Sequence, residues 1–328
     1  MIARTASSSA VVNAAKRNTR APNRRSILQC VVCALMFSIA PLARASDLAQ
    51  ATFDSPQAGV AALVAAVEAN DAAALRVILG THGEKLMNSG DAVADANYRA
   101  AFVKAYRRAN AIETTGDRSA TLVIGKDRWP LPIPLAKSNG AWHFDTPKGE
   151  QEILDRRIGR NELATIQVCL AIVDAQRDYV AMDQDRNGVL EYAAKFVSTP
   201  GLHDGLYWDP TPGEPQSPLG PLLAAAAKGG YASSANPLTS SPYHGYFYRI
   251  LTQQGKDAPG GAYDYVAHGK MIGGFAVVSY PARYGVSGVM TFIVNHDGVV
   301  YQKDLGKNTA VLAAAMITFN PDPSWKRS

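Results

Sequence analysis

The sequence has little cysteine and none of the signatures that mark the common hydrolases and nucleotide-binding folds. Of its three cysteines, Cys30 and Cys33 fall in an N-terminal apolar block, so a chain shortened past that block keeps Cys169 alone. No intrachain disulfide is then available, and stability must come from packing. Cys169 stands among Ile166, Val168, Leu170 and Ile172 and reads as a small buried hydrophobe rather than a nucleophile. The chain has no His-Glu-x-x-His and no glycine loop ending in Lys-Ser/Thr, and Gly285-Val286-Ser287-Gly288 lacks Gly-x-Ser-x-Gly spacing. Zinc peptidase, P-loop and serine-elbow chemistries therefore have no support, and Gly260-Gly261 and Gly273-Gly274 read as turns or bulges. With 47% hydrophobic and 19% charged residues in 328, disordered and collagen-like classes are excluded and there is enough chain for two cores.

Charge is asymmetric. Residues 1–45 hold seven basic side chains and no acid, which leaves 26 of the 33 Lys and Arg against 28 Asp and Glu in the remainder. That remainder is slightly acidic, so the composition predicts no nucleic-acid partner. The basic stretch precedes an apolar run at 27–42 that is shorter than the roughly 20 residues of a membrane span. The run ends in Ala43-Arg44-Ala45, a small-x-small cleavage pattern, so residues 1–45 read as a signal peptide removed before Ser46. Export to the periplasm or medium is expected, with no stable membrane span after cleavage. Asn23-Arg24-Arg25-Ser26-Ile27-Leu28-Gln29 is similar to the twin-arginine motif, and it reads equally as an ordinary basic leader.

Beyond the leader, Ser55-Pro56 and Asn70-Asp71 start two helices that end by Gly80, and a third helix spans 93–110. Strands are predicted at 120–124, across the proline-spaced 129–135, and at 141–144 after the Asn139-Gly140 turn. A charged helix at 150–160, broken at Gly159, precedes a second helix that Asn161 caps and that runs to about Met182. Its apolar residues lie on both sides, Leu163, Ile166, Leu170 and Val173 against Val168, Ile172, Ala175 and Tyr179, so it should be covered on both flanks. The Pro/Gly-rich 201–221 is expected to be a long ordered loop or interdomain surface, with a short helix at 221–228 after it. Strands follow at 246–251, 275–280, 289–294 and 299–303, the last pair joined by His296-Asp297-Gly298, and a small helix covers 309–317.

Helices followed by a curling antiparallel sheet that ends in Gly140-Ala141-Trp142-His143-Phe144-Asp145 resemble the cone of nuclear transport factor 2-like domains. A long helix from Asn161-Glu162, the Asp183–Tyr192 loop and a terminal strand pair resemble the heads of type IV pilins and pseudopilins. A different segment precedes that helix here, which implies that filament assembly has been lost. Over nearly all of the chain after the leader, Ser89-Gly90-Asp91, Trp129-Pro130-Leu131-Pro132-Ile133-Pro134-Leu135, Arg156-Arg157-Ile158-Gly159-Arg160-Asn161-Glu162-Leu163, Gly205-Leu206-Tyr207-Trp208 and Gly269-Lys270-Met271-Ile272-Gly273-Gly274-Phe275 resemble the bacterial family known as domain of unknown function 2950 (DUF2950). The resemblance implies no catalytic residues. The expectation is an α+β fold in two domains: a cone-like domain at 46–147, a connecting helix at 148–160 and a pilin-head-like domain at 161–328.

A cone of this kind implies a pocket between sheet and helices, with Tyr106, Trp129, Trp142 and His143 as candidate lining residues; as core filler they would have no such role. Asp183-Gln184-Asp185-Arg186-Asn187-Gly188 follows the first half of a calcium loop, which makes Asp183, Asp185, Asn187 and Glu191 candidate ligands and calcium the candidate ion. Ala194 stands where the closing bidentate Glu belongs, so a hydrated acidic turn accounts for the segment too. His203, Asp204 and His244, near Tyr207, Tyr243 and Tyr246, could form an acid/base pair across a groove. Together with Trp208, these aromatics could instead form a contact surface for an envelope protein or a glycan. The expected role is an exported, non-catalytic binding or assembly module of the cell envelope; the alternative is an enzyme or small-ligand carrier that uses the cone pocket.

Overall fold

The computed structural model describes residues 49–183, 188–209, 212–213, 215–231, 238 and 240–328. The leader and its cleavage site lie outside the described residues, as do Asp185 and Asn187. The fold is α+β, and the described residues belong to one compact unit holding two clusters of buried residues.

The first cluster is built by the chain up to Ile153. Helix α1 (Pro56–Glu68) starts where the Ser55 hydroxyl accepts from Ala58 N at 3.1 Å, and α2 (Ala72–Leu79) where Asp71 accepts from Ala74 N at 2.9 Å. The short α3 (Glu84–Met87) leads into α4 (Ala92–Arg108), capped by Asp91. Five strands follow: β1 (Asn110–Thr115), β2 (Ser119–Ile124), β3 (Trp129–Pro130), β4 (Leu135–Ser138) and β5 (Ala141–Phe144). The sheet is antiparallel in the order β1-β2-β4-β5, with β3 also on β2. Strand β1 was not expected. It lies at the edge, and no residue in its Asn-Ala-Ile-Glu-Thr-Thr sequence is fully buried, so it carries no apolar alternation. The strand expected across 129–135 divides in two, because Pro132 and Pro134 have no N–H to give the ladder.

Helix α5 is one continuous element, Thr146–Val180, of 35 residues and about 52 Å. The expected break at Gly159 and cap at Asn161 are absent, and the buried stripe explains why. Leu154, Arg157, Asn161, Thr165, Val168, Ile172, Ala175 and Tyr179 follow one another at spacings of three or four without interruption. Gly159 faces open space. Of the two apolar flanks both are covered: Val173 is buried and Ile166 and Leu170 pack against the core, and Leu163, 68% exposed, is the exception.

The second cluster surrounds the C-terminal half of α5. It adds α6 (Gly220–Lys228), β6 (Tyr246–Leu251) and the two-residue strands β7 (Gln253–Gln254), β8 (Tyr263–Asp264), β9 (Val266–Ala267) and β10 (Lys270–Met271). It then adds β11 (Ala276–Pro281), β12 (Met290–Asn295), β13 (Tyr301–Asp304), α7 (Thr309–Ala315), β14 (Thr318–Phe319) and β15 (Lys326–Arg327). The main antiparallel sheet has the order β15-β13-β12-β11-β6, and α5 packs on β11 and β12. The Pro/Gly-rich loop is not merely peripheral: it lays Leu206, Trp208 and Leu219 into this core.

Where α5 passes from one core to the other, its buried stripe turns polar. Asp91, 1% exposed, accepts from Ala94 N (2.9 Å) through one oxygen and from Tyr231 Oη (2.8 Å) and Gly245 N (2.9 Å) through the other. Asn161 Nδ2 donates to Ser287 O (2.8 Å), and Glu162 accepts from Val289 N (2.9 Å) and Met290 N (3.0 Å). Arg283 donates to Asn88 O across the same junction. The residues that looked like a helix start thus join the two halves.

Candidate functional site

A cavity of about 450 Å³ opens in the first core. Its floor is apolar and includes Leu63, Leu79, Met87, Phe102, Ile124 and Ile133, drawn from α1, α2, α3, α4, β2 and the proline-spaced segment. The volume falls within the roughly 300–1,000 Å³ of small-molecule sites. Gly149 lets α5 close against one wall: a Cβ there would stand 2.6 Å from Ile133 N and collide with the Pro132 carbonyl.

The rim is cationic. Arg99, Arg156, Arg157 and Arg160 line the cavity against two carboxylates, Asp95 and Asp127. Arg156 and Arg160 stand one turn apart on α5. The Arg156 guanidinium lies over the Trp129 ring (5.6 Å to centroid) and that of Arg160 over Tyr98 (4.9 Å), so the rings orient both planar forks. Arg156 also donates to Glu152 at 2.5 Å. Arg99 Nε donates to the neutral Asn70 Oδ1 at 2.9 Å. Arg157, 5% exposed, is structural: it donates to Lys85 O (2.7 Å) and Leu86 O (2.5 Å). Burial pulls its guanidinium below the ordinary value, partly offset by the nearby Asp95 carboxylate. Asp95 accepts from Ser89 N at 2.9 Å.

Of the aromatics picked out by sequence, Trp129 lines the cavity, 36% exposed at its mouth. Tyr106, Trp142 and His143 are not among the lining residues. Trp142 is 7% exposed within the core, Tyr106 packs against that core, and His143 Nδ1 meets Ser138 Oγ at 3.4 Å. The arginine rim escaped the sequence reading because Arg156, Arg157 and Arg160 look like the solvated side of a charged helix. The available signal was the i,i+4 pair of arginines with aromatics expected nearby.

The remaining candidates do not converge. His203 stacks on Trp208 at 4.2 Å, Asp204 pairs with Lys195 at 2.5 Å, and His244 packs on Tyr243 at 4.2 Å. Burial opposes ionisation of Asp204, but its hydrogen bonds to Lys195 and Thr199 outweigh that and hold it below the ordinary range. Burial lowers the His244 imidazole, with Asp91 pulling the other way. In the acidic loop, Asp183 Oδ2 accepts from Gly188 N (2.8 Å), while Glu191 pairs with Lys270 (2.8 Å). Among the described residues no group of three His, Cys, Asp or Glu is arranged to hold a metal ion. Cys169 is buried and burial pushes its thiol up to about 12, which leaves no thiolate for chemistry. No described helix is long and apolar enough to cross a membrane.

Two clusters of buried residues joined by one long helix, with an apolar-floored cavity in the first, define this as an α+β protein with a pocketed N-terminal half. The chain belongs to the family described as protein of unknown function (DUF2950), whose model matches residues 50–328. Neither curated proteins nor solved structures give a match.

Proposed function

We propose that the protein is an exported binding module that carries a small apolar molecule in the cavity of its first core. The observation that carries this reading is the cavity itself: about 450 Å³, apolar-floored, and bounded by four helices, a sheet and the start of α5. A protein that only needed a filled core would close such a space, since each unfilled volume forfeits packing energy. The lining has no cysteine, histidine or serine, and of its two carboxylates Asp95 is buried and hydrogen-bonded into the wall, which favours carriage over turnover. Export is supported by the basic leader, the apolar run and Ala43-Arg44-Ala45, and by a family match that begins only at residue 50. Mass spectrometry of the protein from its producing cell should find Ser46 at the N-terminus.

The direct test uses a neutral environment-sensitive fluorophore, N-phenyl-1-naphthylamine. It should bind the purified protein with enhanced emission and micromolar affinity. Ala101→Trp, at an exposed lining position, should fill the mouth and abolish that emission while leaving the melting temperature unchanged. Equal emission from both proteins would overturn the reading.

A further inference from the structure

We infer that the ligand of this cavity is a single-chain amphiphile with one anionic oxyacid head, its chain on the apolar floor and its head between Arg99, Arg156 and Arg160. This rests on the carrier reading above and adds the chemical class of the ligand.

The inference follows from how the arginines are held. Arg156 and Arg160 are exposed and Arg99 is half-buried, so water carries their charge at the cavity mouth and their forks stay open to an incoming anion. Among the described residues no carboxylate lies within ion-pair distance of Arg160 or Arg99; the first rests on a tyrosine ring and the second on a side-chain amide. Arg156 has Glu152, but that pair is at i,i+4 on the solvent side, with 42% and 54% of the side chains exposed, and contributes little to holding the fork in place. The orientation comes from Trp129 and Tyr98.

The two lining carboxylates do not cancel this charge. Asp95 is buried, takes a backbone N–H from Ser89 and sits beside the buried Arg157, so that pair is internal to the wall. Of the lining carboxylates that leaves Asp127 to set against three rim arginines. An excess of planar, ring-oriented forks at the mouth of an apolar cavity complements a carboxylate or phosphate attached to an apolar body. It disfavours an amine and offers nothing in particular to a neutral ligand.

The experiment compares dodecanoate, dodecyl phosphate, dodecanol and dodecylamine as competitors of the bound fluorophore, in wild type and in Arg160→Gln and Arg99→Gln. Both anions should bind about tenfold more tightly than dodecanol, and dodecylamine more weakly than dodecanol. Each substitution should cut the advantage of the anions over dodecanol several-fold, with far-ultraviolet circular dichroism as the control for an intact fold; Arg160→Lys should restore part of it. Equal binding of dodecanoate and dodecanol overturns the anionic head and leaves the carrier reading standing, whereas failure of the fluorophore itself overturns the carrier reading. Binding to vesicles of anionic phospholipid with no competition by monomeric dodecanoate would also overturn the inference, because the head would then be read on a membrane surface.

Discussion

Replacing Asp91 by Ala tests whether the polar junction holds the two halves together. One Asp91 oxygen caps α4 at Ala94 N, and the other receives Tyr231 Oη and Gly245 N from the far half of the chain. Loss of a helix cap costs about 0.5–2 kcal/mol. Leaving a buried hydroxyl and a buried N–H without an acceptor costs about 1–3 kcal/mol each. After relaxation, a total of about 3–5 kcal/mol is expected, a large part of the roughly 5–15 kcal/mol that holds a typical domain. The melting temperature should fall on the order of 10 °C. Tyr231→Phe removes one donor and leaves Asp91 its other partners, so about 1–2 kcal/mol is expected. In the double variant the hydroxyl is no longer orphaned, and the combined effect should fall short of the sum by about 1 kcal/mol. Urea denaturation of the four proteins reads all of this. A loss below 1 kcal/mol for Asp91→Ala, or strict additivity, would refute the reasoning.

Three other substitutions probe separate features. Gly149→Ala adds a better helix former by about 1 kcal/mol, yet drives a methyl into the backbone at Pro132 and Ile133. Net destabilisation of about 1–3 kcal/mol is expected, and a rise in melting temperature would contradict the close approach. Glu150 accepts from His82 Nδ1 (2.7 Å) and Lys85 Nζ (3.1 Å); burial opposes its ionisation, but these partners outweigh it and hold the carboxyl below its ordinary 4.5. Its stabilisation is therefore present above pH 4.5 and lost as pH falls through the depressed folded value. Glu150→Gln should be less stable than wild type at pH 7 and equal to it in strong acid, and a gap independent of pH in urea melts would refute this. Calcium in the Asp183 loop would require Glu191 to leave Lys270. Lys270→Ala should thus enlarge any calcium-dependent rise in melting temperature, and flat curves for both proteins at millimolar calcium would rule the loop out.

Much of the fold was legible because its signals are local. Ser55-Pro56 and Asp71 mark α1 and α2 by chemistry that acts within three residues, and strands such as Tyr246–Leu251 carry enough apolar side chains to be read alone. What failed was long-range. Asn161 and Glu162 have the composition of a helix start, but their side chains are spent on Ser287, Val289 and Met290, more than a hundred residues away. Polar β1 takes its structure from β2 rather than from its own sequence. At the site, Trp129 stood out by residue type, and the arginines did not. A guanidinium on a charged helix looks solvated until the neighbouring α4 brings Tyr98 beneath it.

The uninterrupted α5 bears on how this chain can be divided. A dowel glued into two boards cannot be sawn at the joint without spoiling both, and residues 146–180 serve as that dowel. A fragment ending at residue 160 would keep the floor and rim of the cavity but lose Asn161, Tyr231 and Gly245, and a fragment beginning there would carry a half-length rod with bare polar groups at its end. Neither piece should be soluble as a well-ordered species, so expression of the halves must start from overlapping rather than abutting ends.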